Sequence, residues 1–120
     1  MAIRWDKFTV KSQEAVQSAS ALAAESGNPE VLPIHLLAAL LEDKEGIIVP
    51  LLQKVGVPTE QLLSRVSQVL GTLPKVSGSG TQPALSNAAQ KVIDRAFKEA
   101  QNFKDDYVSS EHLLLALSQE

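Results

Sequence analysis

Sliding the chain against itself by 77 residues lays Thr9 on Ser86, Gln13 on Gln90, Ala19 on Ala96, Ala23 on Ala100 and Val31 on Val108. The same shift puts His35-Leu36-Leu37-Ala38-Ala39-Leu40 on His112-Leu113-Leu114-Leu115-Ala116-Leu117. Two helix-length segments that match without a gap mark an internal duplication, so the chain must fold as two copies of one supersecondary unit that share a core. In this register Glu120 falls on Asp43. The second copy therefore lacks counterparts for whatever follows Asp43 in the first, and either the chain is cut short or the first copy covers the gap.

Each unit reads as helices. Thr9 is placed to cap a first helix, whose Ala15, Val16, Ala19, Leu22 and Ala23 recur at helical spacing before Gly27-Asn28-Pro29 ends it. Pro33 suits the first position of a second helix, where a missing N–H costs nothing. Ile34, Leu36, Leu37, Leu40 and Leu41 then leave it little polar surface, which makes it central. A third helix is expected from about Ile47 to Val55, with Pro50 in its first turn and Gly56 ending it. Thr59 is expected to cap a fourth, striped by Leu62, Leu63, Val66, Val69 and Leu70.

Residues 71–84 are rich in turn formers and read as a linker between repeat one, about 8–70, and a partial repeat two, about 85–120. The linker's Gly78-Ser79-Gly80 is too short for a phosphate loop, and no Gly-Lys-Ser/Thr follows. Ser86 caps a fifth helix through Leu85, Ala89, Val92, Ile93, Ala96, Phe97 and Ala100. Ser109 caps a sixth, with Glu111 in its first turn. The expected fold class is all-α: duplicated four-helix units related by a pseudo-twofold, the second truncated, in one domain over 1–120.

Composition removes several function classes. Apolar residues at 44% and charged residues at 21% match a globular domain rather than a disordered chain. The longest apolar run, Ile34 to Leu41 broken by His35, is too short to cross a bilayer, so no membrane role is expected. The first residues have neither the basic-then-apolar order of a secretory signal nor the character of a transit peptide, which makes a cytoplasmic protein the expectation. Without cysteine there are no disulfides or thiolate metal sites. A net charge of −3, with basic residues scattered singly among acids, provides no field for nucleic acid.

No residues assemble into a catalytic or metal-binding set. His35 and His112 are the two imidazoles, and each is expected to cap or pack in the first turn of its helix, as the duplication suggests. The acid pairs Glu42-Asp43 and Asp105-Asp106 read as solvated turn residues. The serines and threonines at helix starts read as caps. The expectation is a non-catalytic domain with no metal and no cofactor.

The combination Phe8-Thr9-x-x-Ser12-Gln13-x-Ala15, Leu32-Pro33-Ile34-His35-Leu36-Leu37-Ala38-Ala39-Leu40-Leu41 and Pro50-Leu51-Leu52 resembles the duplicated Clp amino-terminal domain. Leu73-Pro74-Lys75-Val76-Ser77-Gly78, followed by Asp106-Tyr107-Val108-Ser109-Ser110-Glu111-His112-Leu113, is most similar to the ClpB branch, the protein disaggregases. That resemblance implies a substrate-docking domain for unfolded or aggregated polypeptide, mobile on an ATP-driven ring. It further implies a homohexameric parent that uses ATP and Mg through domains beyond this chain and cooperates with a Hsp70-type chaperone system. An adaptor-docking domain of a proteolytic Clp ATPase and a structural helical bundle are the competing readings.

The resemblance also associates Thr9, Asp105 and Glu111 with substrate handling. Their ordinary roles as cap, turn residue and first-turn charge stand beside that association. A receptor for unfolded chains needs an apolar groove with a polar rim. Trp5, Phe8, Phe97, Phe103 and Tyr107 cluster in sequence near the ends of the first, fifth and sixth helices, and the groove is expected there. Phe8 and Phe97 fit the core pattern as well, whereas Trp5 and Phe103 are better suited to exposure.

Overall fold

The computed structural model describes residues 5–43, 46–73, 75 and 83–118. A 3₁₀ turn at Trp5–Lys7 leads into helix α1 (Val10–Glu25), followed by strand β1 (Glu30–Val31), α2 (Pro33–Glu42), α3 (Ile48–Lys54) and α4 (Thr59–Gly71). Strand β2 (Ala84–Leu85), α5 (Asn87–Asn102) and α6 (Ser110–Ser118) complete the order. Most of the linker, including Gly78-Ser79-Gly80, lies outside the described residues.

The caps lie where the hydroxyls of Thr9 and Ser86 promised them. Thr9 Oγ1 accepts the Ser12 N–H at 3.2 Å and Ser86 Oγ accepts the Ala89 N–H at 3.0 Å, each satisfying an orphan donor of a first turn. Because Ser86 is buried as it does so, Ser86→Ala should cost about 1 kcal/mol, measured as a lower urea midpoint at unchanged slope. Pro33 opens α2, and Pro50 sits within the first turn of α3. Thr59 is a correction: it is the first residue of α4, and Pro58 holds the capping position, its carbonyl accepting the Leu62 N–H at 3.0 Å. Val69 likewise leaves the expected stripe, being 44% exposed while Val66 beside it on the helix is buried.

Helix α2 is central, touching α1, α3, α4, α5 and α6. Leu36, Ile93 and Leu113 are the largest fully buried aliphatics of the main core, joined by Val31, Val92 and Val108. A second cluster of Ala38, Leu41 and Val66 fastens α4 to the other side of α2. Helix α3 also reaches α6, so an element of the first unit lies against the second.

The expectation of helices alone omitted a pair of short extended contacts. Val31 pairs with Leu85 in the parallel β1–β2 pair, and Phe8 forms a parallel bridge with Val108. These four positions are 77-residue counterparts exchanged between units. The Ser86 N–H donates to the Val31 carbonyl at 3.0 Å, and the Thr9 N–H donates to the Val108 carbonyl at 2.9 Å. Each unit's opening segment thus lies on the other unit's approach to its second helix.

The turn after the first helix of each unit repeats as well. Gly27 has φ 72° and Lys104 has φ 58°. The N–H groups of Asn28 and Asp105 donate to the Ala23 and Ala100 carbonyls, each at 2.9 Å. Lysine in the left-handed region crowds its Cβ against the backbone, at a cost of about 1–2 kcal/mol that glycine avoids. Lys104→Gly should therefore raise stability by about 0.5–1 kcal/mol once glycine's greater freedom in the unfolded chain is subtracted. Thermal melting checks this.

Candidate functional site

The two histidines are structural, each the third residue of its helix. The Leu32 N–H donates to His35 Nδ1 at 2.9 Å, and the Ser109 N–H donates to His112 Nδ1 at 2.9 Å. Each imidazole thus reaches back to the capping residue's N–H, as a glutamate does in a capping box. With Nδ1 accepting, the proton sits on Nε2, which faces Asn28 Oδ1 at 2.9 Å in the first unit and Asp105 Oδ2 at 2.9 Å in the second. Burial pushes the His35 pKa below the ordinary imidazole value. Ser109 occupies the capping position of α6, its hydroxyl 3.0 Å from His112 Nδ1.

Neither acid pair is merely solvated. Asp43 forms an ion pair with Lys11 at 3.6 Å, and Asp105 holds His112. Both partners of the Lys11–Asp43 pair are well exposed, so it orients side chains more than it stabilises.

A groove of about 370 Å³ opens where four element ends meet. Its walls are Thr9, Val10 and Lys11 from the start of α1, Leu40 and Asp43 from the end of α2, Gly46, Ile47 and Ile48 at the start of α3, and Ser109, Ser110 and Glu111 at the start of α6. Leu40 and Ile48 are buried members of the core at its base. Val10 and Ile47, 72% and 53% exposed, are its apolar lips. Thr9, the Lys11–Asp43 pair, Ser109 and Glu111 make the rim polar. An apolar base with polar edges can take an apolar side chain while hydrogen-bonding the backbone that carries it.

The sequence-expected residues divide over this surface. Thr9 and Glu111 come together at the groove, whereas Asp105 is absent from its lining and points to His112. The expected aromatic groove is not one surface. Phe8 is buried and meets half-buried Phe97 edge-on at 5.3 Å between ring centres, because both belong to the core. Phe103 and Tyr107 are 62% and 54% exposed on the turn that carries Asp105, with the Phe103 ring 6.2 Å from the His112 ring. The Trp5 side chain lies outside the described residues. Val10 and Ile47 were missed because an exposed aliphatic at a helix start leaves no periodic trace.

Among the described residues no group of His, Asp or Glu is arranged to hold a metal ion, and no helix is long and apolar enough to cross a membrane.

The family model of the Clp repeat N-terminal domain matches residues 7–120. This chain belongs to that family. Chaperone protein ClpB of Bacillus cereus is 41% identical over 118 residues, covering 96% of this chain and 14% of the relative. ClpB of Rhodopirellula baltica is 40% identical over 118 residues, 98% of this chain and 13% of that protein. The chain thus spans about a seventh of the length of the ClpB relatives it matches. Among solved structures, the Hsp104 N-terminal domain from Candida albicans superimposes with a TM-score of 0.85 at 28% identity, over 92% of this chain and 73% of that one. As a Clp repeat N-terminal domain, the chain has a helical architecture shared with the N-terminal domain of a eukaryotic Hsp104.

Proposed function

We propose that this Clp repeat domain is the substrate-docking domain of an ATP-dependent disaggregase, receiving unfolded or aggregated polypeptide in the groove between the starts of α1, α3 and α6. One observation carries the reading: Thr9 and Glu111, which the family resemblance links to substrate handling, line the same apolar groove with a polar rim. The domain binds and performs no chemistry. ATP, Mg, the hexameric ring, cooperation with a Hsp70-type system and a cytoplasmic setting belong to the proposed parent protein. Affinity is low, because an unfolded client loses conformational freedom on docking and the groove holds few anchors. A low-affinity site also releases its client readily to the next one.

Amide-detected NMR titration with casein, a natively unfolded probe, tests this. Progressive shifts are expected at Thr9, Val10, Ile47 and Glu111. Shifts produced only by a folded adaptor protein, with none from casein, would assign the groove to adaptor docking in a proteolytic Clp ATPase. No response to either leaves the structural helical bundle.

A further inference from the structure

We propose that Asp105 is a positioning residue for this groove, acting through His112 without touching the client. The inference rests on the docking function proposed above and concerns how the groove wall is held. Asp105 Oδ2 faces His112 Nε2 at 2.9 Å, and His112 Nδ1 accepts the Ser109 N–H at 2.9 Å. Ser109, Ser110 and Glu111 form the α6 wall of the groove, which Asp105 does not line. The chain of contacts therefore runs from carboxylate to imidazole to the backbone that places Glu111.

The order of donors couples the two sides of the ring. Nδ1 accepts the Ser109 N–H only while the ring proton stays on Nε2, and an acceptor opposite Nε2 favours that form. The first unit supplies an internal control. Asn28 Oδ1 faces His35 Nε2 at 2.9 Å, and the Leu32 N–H donates to His35 Nδ1 at 2.9 Å. An uncharged amide oxygen is thus sufficient for the geometry. An ion pair between Asp105 and a client cation would require its charge; positioning requires an oxygen.

That difference separates the two roles experimentally. Asp105→Ala should weaken casein binding about three- to tenfold, the range of one hydrogen bond removed from a supporting network. Asp105→Asn should bind within about twofold of the parent, since it recreates the Asn28 pairing. Nitrogen-15 shifts of the His112 ring should report the Nε2–H form in the parent and in Asp105→Asn, and a mixture of ring forms in Asp105→Ala. The Ser109–Glu111 amides should move in Asp105→Ala and stay in place in Asp105→Asn.

An Asp105→Asn chain that loses binding as much as Asp105→Ala overturns the proposal and makes the charge itself the client contact. Unchanged binding in Asp105→Ala overturns it too. Should the parent fail to bind casein, the docking reading falls on its own. The ring and amide shifts then decide whether Asp105 positions the α6 wall: movement in Asp105→Ala alone upholds it, and no movement refutes it.

Discussion

Val10→Asp is expected to lower the affinity for casein at least about tenfold while leaving the melting temperature unchanged or slightly raised. Two facts about one position produce the split. Val10 is 72% exposed and forms a lip of the groove. A docked apolar side chain would press against the new carboxylate and strip it of water, and tenfold corresponds to only about 1.4 kcal/mol, well within the cost of burying an unpaired charge. In the free domain the same aspartate is the first residue of α1, where a negative charge is favourable near the helix's positive end by about 0.3–1 kcal/mol. A fall in affinity without a fall in stability cannot be attributed to unfolding. Binding equal to the parent's would remove the groove as the client site.

His35→Ala is the change expected to damage the fold most, by about 3 kcal/mol or more in chemical denaturation. The ring is fully buried, and its loss strands the Leu32 N–H, takes the His35 Nε2 partner from the buried Asn28 Oδ1 and opens a cavity. His112→Ala should cost about half as much, because its partner Asp105 is half exposed and can turn to water. Equal losses would mean that the burial of the partner is irrelevant.

The pH dependence of stability follows from the same buried ring. Burial lowers the folded pKa of His35 below the ordinary imidazole value of 6.5, so the unfolded chain takes up the proton first. Stability from this group is complete above about pH 6.5 and declines as pH falls from there toward the folded pKa, below which no more is lost. The melting temperature should therefore fall between neutral and mildly acidic pH, and a buffer series measured by calorimetry follows it directly.

The parts of this molecule that announce themselves in sequence are those with a period or a chemical necessity. Thr9 and Ser86 cap because hydroxyls at those places satisfy orphan donors, and Pro33 opens a helix because it lacks one. The paired extended contacts at Phe8, Val31, Leu85 and Val108 are too short to show alternation. They depend on two segments far apart in the chain. The partners of the histidines were accessible in principle: the 77-residue register that aligns His35 with His112 also aligns Asn28 with Asp105 and Gly27 with Lys104. The groove was harder. Thr9 and Glu111 are legible individually, but the aliphatic lips lie outside any apolar stripe, and Phe8, Phe97, Phe103 and Tyr107 divide between core and an outer turn.

The exchanged strands also govern when each half can finish folding during synthesis. Phe8 must wait for Val108, and Val31 for Leu85, before their backbone groups are paired. The first unit therefore leaves the ribosome with its helices able to form but its extended segments unpaired, until Leu85 and then Val108 have followed. Contacts so distant in sequence are slow to close and leave apolar edges exposed in the interval. A nascent chain halted shortly after Gly71 should be digested readily by protease, and release of α5 and α6 should confer protection on both units together. A domain proposed to meet other proteins' unfolded segments thus passes through a comparable state during its own synthesis.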